Sequence, residues 1–345
     1  MTKPQDGRNA KTDSKRGGNA RPTLKTISEI SGFAVQTVSR ALSDAPDISA
    51  KTKETVRKIA DEVGYIPNRA GVRLRTGKTN VISLVLSTEH DVLSLTSLLI
   101  SSIAEGLRGT PYHLVVTSSF PDDDPIKAVK YIVQNGTADA IILNQILPED
   151  PRVKYLMDKG FPFATHGRTI WSDQHPYFDY DNYAFAKLAM AELAKQKRRN
   201  ILVLAPPLDQ NYAIEIVNGL QNAAKENDQS IEIVSDINSD SHHRVVRSVI
   251  KEKLSGEKKF DGLVSASPNA TMAAIAGLED AGLRLGEEID VFSKETVPIL
   301  DLFRSGILST GEDVTKAGKF LAKAAVFAAK NSGDRPMQEL DQPIQ

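Results

Sequence analysis

Between Thr23 and Gly64 the apolar positions recur every three or four residues, the spacing of one face of a helix. Leu24, Ile27 and Ile30 form the first run, which Thr23 can cap and Gly32 can end. A turn later comes the stretch GFAVQTVSRALSD. There Val35, Val38, Ala41 and Leu42 share one face, and Gln36, Ser39, Arg40 and Ser43 the other. The third run, from about Ser49 to Val63, repeats apolar residues at Val56, Ile59, Ala60 and Val63. Three short helices around one small core are predicted over residues 22–66.

Beyond Asn80 the grammar changes to apolar strand, then helix, repeated along the chain. The strand-like runs are VISLVL, YHLVVTS, ADAIILN, FPFATH, ILVLAPP, IEIVSD, FDGLVSA and IDVFSK. Helical stretches are expected over 93–108, 125–135, 183–195, 211–226, 241–254 and 270–281. Continuous apolar strands alternating with helices imply parallel sheets covered on both faces. So many strands exceed one compact unit, and two successive open lobes are predicted, with Tyr177–Tyr183 as the crossing between them. The boundaries are about 80–178 plus 312–335 for the first lobe and 181–308 for the second. Residues 336–345 are read as a tail. Ligands of open α/β sheets sit outside the carboxyl ends of strands, so two facing lobes would make a cleft there.

Composition and charge sharpen this picture. The chain of 345 residues has a formal net charge of −1, but the first 80 residues carry 16 Lys and Arg against 8 Asp and Glu. The rest carry 27 against 36. A basic head on an acidic body suggests that only the head meets a polyanion. Residues 1–21, rich in Gly, Asn, Lys and Arg, read as a disordered basic arm, and the Pro-broken basic segment 67–79 as a linker. The absence of cysteine removes disulfide frameworks, thiolate catalysis and Cys-ligated zinc. No apolar run is long enough to span a membrane and no apolar signal core is present, so the cytoplasm is the expected compartment.

Two helices joined by a short Gly-bearing turn make a helix-turn-helix, whose second helix enters the major groove of DNA. The exposed chemistry of GFAVQTVSR suits that role. Gln36 can pair with adenine and Arg40 with guanine, while Val35 and Thr37 can touch a thymine methyl and Ser39 can take either kind of partner. Enzyme signatures are missing: no GxGxxG or P-loop follows a strand, and there is no nucleophile elbow or HExxH. His242–His243 reads as a solvated helical face and Asp122–Asp124 as a helix start. Neither a metal nor a cofactor is expected.

In order and spacing, Thr23–Ser31, GFAVQTVSR, DISAKTKETV and GYIPNRAGVRLRTGKTN resemble the head of the lactose/galactose repressor family. The likeness continues through both lobes to about residue 330. It implies a two-lobed body like that of periplasmic sugar-binding proteins, a homodimer on a palindromic double-stranded operator, and a small sugar effector. Thr23, Val35, Gln36, Thr37, Ser39, Arg40, Asn68, Arg69 and Leu74 would meet DNA, with Leu74 wedged into the minor groove. An apolar wedge flanked by Arg69, Arg73 and Arg75 has the chemistry needed to pry open a base step. Gly71 lies where Ala is usual and disfavours a hinge helix away from DNA.

Carried over by position, the pocket would draw on Thr88, His90, His166, Arg168, Asp181, Gln210, Tyr212 and Glu295, with Trp171 as a further aromatic. Arg168 could equally be a structural ion pair between lobes, and His166 a core-edge histidine. Ile216 and Ser267–Pro268 stand where many relatives carry an Arg and Asn-Asp, so this is not a galactoside pocket. GFPFATHGRT and the hinge look most like repressors of α-glucoside operons, which makes an α-glucoside the leading ligand. Relief of repression by sugar is the default reading, and a corepressor or activator would use the same parts. The tail lacks a leucine heptad, which argues against a tetramer.

Overall fold

The structure, a computed structural model, describes residues 21–66, 71, 73, 76–87, 93–120, 122–330, 333 and 335–343. The expected arm (residues 1–20) and Asn68, Arg69, Leu74, Thr88 and His90 lie outside the described residues. The chain divides after Lys78 into two units.

The head holds three helices: α1 (Leu24–Ser31), α2 (Val35–Leu42) and α3 (Ala50–Glu62). Thr23 and Thr26 form a reciprocal capping box at the start of α1, and Gly32 ends it at φ +72°. The Ser49 hydroxyl accepts from the Thr52 amide and starts α3. Ile27, Val38, Ala41, Val56 and Ala60 meet in the core. Val35, on the apolar side of the pattern, is 43% exposed because it precedes the turn at which α2 reaches that core. The described hinge positions Gly71, Arg73 and Thr76 have helical backbone, the state that Gly71 disfavours in isolation.

The body contains two parallel sheets. Its first lobe carries β1 (Val81–Ser87), α4 (Leu93–Gly106), β2 (His113–Ser119), α5 (Lys127–Asn135), β3 (Ala140–Leu143), α6 (Pro151–Lys159), β4 (Phe163–His166) and β5 (Tyr177–Tyr180). The second carries α7 (Asn182–Lys195), β6 (Asn200–Leu204), α8 (Asn211–Glu226), β7 (Ser230–Ile233), α9 (His243–Ser255) and β8 (Gly262–Ser265). It continues with α10 (Pro268–Asp280), β9 (Asp290–Glu295), α11 (Leu300–Phe303) and β10 (Leu308–Gly311). The chain then returns to the first lobe as α12 (Val314–Lys330) and β11 (Gln338–Asp341). Strand orders are β11-β5-β4-β3-β1-β2 and β10-β9-β8-β6-β7.

Each sheet is sandwiched between buried helix faces. Leu99 and Ile103 of α4 and Leu321 and Ala325 of α12 cover one side of the first sheet, and Val129, Ile132, Val153 and Leu156 the other. In the second lobe α7 and α8 approach so closely that a Cβ on Gly219 would stand 2.6 Å from that of Ala186.

Two readings need correction. Tyr177–Tyr180 is a strand of the first sheet, and the crossing begins only at Asp181. The supposed tail also contains a strand, with Gln338, Glu339, Leu340 and Asp341 pairing in parallel with Tyr177, Phe178, Asp179 and Tyr180. Both strands are four residues long and carry acids, so neither shows the apolar run of a buried parallel strand. Their acids are paired: Asp179 with Arg168, and Glu339 and Asp341 with Lys316 of α12.

Candidate binding cleft and nucleic-acid interface

The carboxyl ends of β3, β4, β5, β8, β9 and β10 converge on one cavity of about 230 Å³ between the lobes. Parallel strands point their carboxyl ends the same way, so residues just beyond them from both sheets face a common space. These include Asn144, His166, Ser267, Lys294 and Glu312. Asn182 and Asn211 at helix starts, Tyr180 and Tyr212, and the segment Ser239–His243 leading into α9 add to the wall.

A buried ion pair forms the floor. Lys294 Nζ lies 2.8 Å from Glu312 Oε2, with both side chains less than a tenth exposed. His166 Nε2 stands 3.5 Å from the other carboxylate oxygen, and Lys294 also donates to Asn182 Oδ1 at 3.2 Å. Burial alone would push the Glu312 carboxyl up, but the Lys294 ammonium and His166 outweigh it and hold the acid well below the usual range. Lys294 also sits over the rings of Tyr180 and Tyr212, at 5.0 and 5.7 Å from their centroids. Burial pushes both phenols up, so they are neutral hydrogen-bonding groups at physiological pH. Asn144, 5% exposed, lines the cavity, and its buried side-chain Oδ1 has no hydrogen-bond partner among the described residues. The cavity thus offers amides, hydroxyls and an internally neutralised ion pair.

Of the sequence-derived pocket residues, His166 and Tyr212 line this cavity. Arg168 does not. Its guanidinium bridges Asp179 on β5 at 2.7 Å and Glu215 on α8 at 2.6 and 2.8 Å, an ion pair between lobes. Burial and the nearby Asp179 push Glu215 up to about 7 against the pull of Arg168, because one guanidinium serves two carboxylates. Asp181 caps α7 by accepting from the Ala184 amide. Glu295 accepts from the Ile299 and Leu300 amides beside α11, and Gln210 is buried ahead of α8. Trp171 packs against the core of the first lobe. Ile216 points into the second lobe's core, while Ser267 caps α10 and Pro268 occupies its first turn.

Sequence reasoning missed Asn144, Lys294 and Glu312, whereas Asn182, expected beside Asp181 at the crossing, does line the cavity. Lys294 did leave a signal, since a lone lysine in the apolar run VFSKE must have a buried partner. Asn144 likewise ends the apolar run AIIL. The His242–His243 pair, read as a solvated face, is exposed but lines the cavity, with ring centroids 4.1 Å apart. Its location follows from the loop before α9, whose return to the cleft no local pattern encodes. No cluster of three metal-ligating side chains occurs among the described residues.

In the head, Gln36 and Arg40 are exposed one helical turn apart on α2, while Thr37 and Ser39 are half-buried beside them. Thr23 is exposed at the start of α1. No helix among the described residues is long and apolar enough to cross a membrane.

A helix-turn-helix head followed in sequence by a two-lobed parallel-sheet body with a polar cleft is the architecture of a DNA-binding regulator with a ligand-binding domain. The body matches the periplasmic binding protein domain over residues 111–333, and residues 23–68 match the bacterial regulatory proteins, lacI family. The chain belongs to the periplasmic binding protein domain family through its body, and with its head it is a DNA-binding transcriptional regulator of the LacI family. That family is one of regulators, not of enzymes.

Among similar proteins is the HTH-type transcriptional regulator AglR of Rhizobium meliloti, 28% identical over 92% of this chain and 90% of its own. The lac repressor dimer bound to operator and the anti-inducer ONPF superposes with a TM-score of 0.79 at 20% identity, covering 94% of this chain and 97% of that one. The CelR–cellobiose complex superposes with a TM-score of 0.69 at 20% identity, covering 94% and 98%.

Proposed function

We propose that the chain acts as a homodimeric repressor on a palindromic operator and is released when a neutral sugar, with an α-glucoside as the leading class, fills the cleft. The working division is a head of residues 22–66, a hinge of 67–79 and a body from residue 80. Val35, Gln36, Thr37, Ser39 and Arg40 would meet the major groove. Asn68, Arg69 and Leu74 would meet the hinge site, and Thr23 the backbone.

The observation that carries the ligand reading is the Asn144 side-chain oxygen, without a hydrogen-bond partner among the described residues, in a cavity wall shared with a Lys294–Glu312 pair that neutralises itself. Neutral polyols need paired donors and acceptors without a net charge to answer, and aromatic edges such as Tyr212 for their apolar faces. A phosphorylated or carboxylated sugar would find Lys294 already held by Glu312, with Asp240 on the same wall. The α-linkage rests on the likeness of GFPFATHGRT and the hinge to repressors of α-glucoside operons. The CelR neighbour was solved with cellobiose, so a β-linked glucose disaccharide is the comparison ligand. For the homodimer, the support is the lac repressor neighbour, a dimer on its operator, and the edge strand β2, which presents Val115 and Val116 to solvent.

Binding to the cleft would reach DNA as a coupling free energy, and about 1–3 kcal/mol changes operator affinity five- to 150-fold. The test is calorimetry with maltose, trehalose, cellobiose and glucose 6-phosphate, alongside gel shifts on DNA upstream of the chain's own gene. An α-linked disaccharide should bind and release the DNA. Binding of cellobiose alone would reverse the linkage assignment, and binding of the phosphosugar would refute a neutral ligand.

A further inference from the structure

The exposed face of α2 holds one cation, and a carboxylate already answers it. Arg40 Nη2 lies 2.6 Å from Asp47 Oδ1, with the two side chains 48% and 50% exposed. Asp47 stands in the turn between α2 and α3, just before the Ser49 cap. The same turn places Asp44 at φ +58° between Lys53, at 3.0 Å, and Arg57, at 2.8 Å. Two acids in one turn therefore occupy three cations of the head, beside the helix that would meet base edges. The arrangement is costly for a surface whose partner is a polyanion, because each acid repels the phosphates that the cations would attract.

We infer that Asp47 is a specificity-determining residue of the DNA-reading head, holding the Arg40 guanidinium for a guanine edge and denying it to phosphates. This rests on the reading of α2 as the base-reading helix. A guanidinium has five N–H donors in a fixed fork, so Arg40 can keep Asp47 on one edge and donate to guanine O6 and N7 with others. Those acceptors are uncharged and meet no repulsion from Asp47. A phosphate in the same place would share the guanidinium with a second anion, and like-charge juxtaposition is a means of rejecting a wrong partner. The hydrogen bond from the Arg40 side chain to the Asp47 carboxylate holds that acid below its usual range, so Asp47 is ionised at neutral pH.

The test compares full-length wild type, Asp47→Asn and Asp47→Glu. Each is used to select binding sequences from a library of randomised duplexes. Each is then titrated against the wild-type selected palindrome and a scrambled duplex over a series of KCl concentrations. Asp47→Asn should bind the scrambled duplex several-fold more tightly, with a salt slope steeper by about 0.9 for each head. Its preference for guanine at one position of the half-site should fall at least about fivefold. Asp47→Glu should retain the wild-type slope and selected sequence. An unchanged slope and sequence in Asp47→Asn, or equal weakening on both duplexes, overturns the assignment. A wild-type chain that enriches no sequence overturns the reading of α2 itself, and this inference with it.

Discussion

Arg168 and Glu215 join the two lobes: the guanidinium beyond β4 donates two hydrogen bonds, of 2.6 and 2.8 Å, to a carboxylate on α8. The same guanidinium serves Asp179 at 2.7 Å, so three charged groups share a net charge of −1 at a site little open to water. A proton on Glu215 relieves the excess.

The pH dependence of this link has a definite sign. The carboxyl of Glu215 is raised from an ordinary 4.5 to about 7, so the folded chain holds its proton where the unfolded chain has released it. The stability it contributes is fully present below 4.5 and is lost as pH rises to about 7. Burial depresses the pKa of His175, which runs the opposite way and loses stability as pH falls, so only a difference isolates Glu215. Thermal unfolding of wild type relative to Glu215→Gln should decline between pH 4.5 and 7 and level off above. A flat difference would show that Glu215 does not titrate in this window.

The floor pair should behave as a unit. Lys294→Met leaves the buried Glu312 charge without its ammonium partner, with His166 beside it, at a cost of about 3–5 kcal/mol. Adding Glu312→Gln should recover most of that loss in urea unfolding. Additive losses from the two substitutions would mean that the residues act separately.

Asn144→Ala should separate binding from stability. Its Oδ1 has no protein partner among the described residues, so removing the amide should leave unfolding within about 0.5 kcal/mol of wild type. Loss of a hydrogen bond to a sugar should cost about 0.5–1.5 kcal/mol of ligand binding by calorimetry. A fall in stability with unchanged affinity would contradict the role.

Ending the chain at Met337 should expose the β5 edge. That removes the ladder with Gln338–Asp341, the Asp341 carbonyl that accepts from the Asp181 amide at 2.7 Å, and both acids on Lys316. The body should lose several degrees of melting temperature and associate through the bared edge on gel filtration. An unchanged monomer–dimer profile and melting point would show that the strand is dispensable.

Legibility in the sequence tracked how local the physics was. The head was readable because Thr23, Gly32 and the spacing of Ile27, Val38 and Val56 are local signals of caps and faces. The apolar parallel strands announced themselves as runs such as VISLVL and AIIL. β5 and β11 did not, since their acids are admitted only by Arg168 and Lys316, which arrive from elsewhere in the chain. The cleft floor was hidden for the same reason: Lys294 lies on β9 and Glu312 just beyond β10, and the β9–β10 pairing brings them together. Arg168 was visible as a functional type of residue, but its position decided between the two roles open to it.

Glu312 follows directly on the Leu308–Gly311 strand, where the chain leaves one sheet for the other, and it also forms the cavity floor. A molecule in the cavity would therefore lie against a point where the chain passes from one lobe to the other rather than against their rims. At such a crossing, a shift of a fraction of an ångström would correspond to a larger displacement at the far edges.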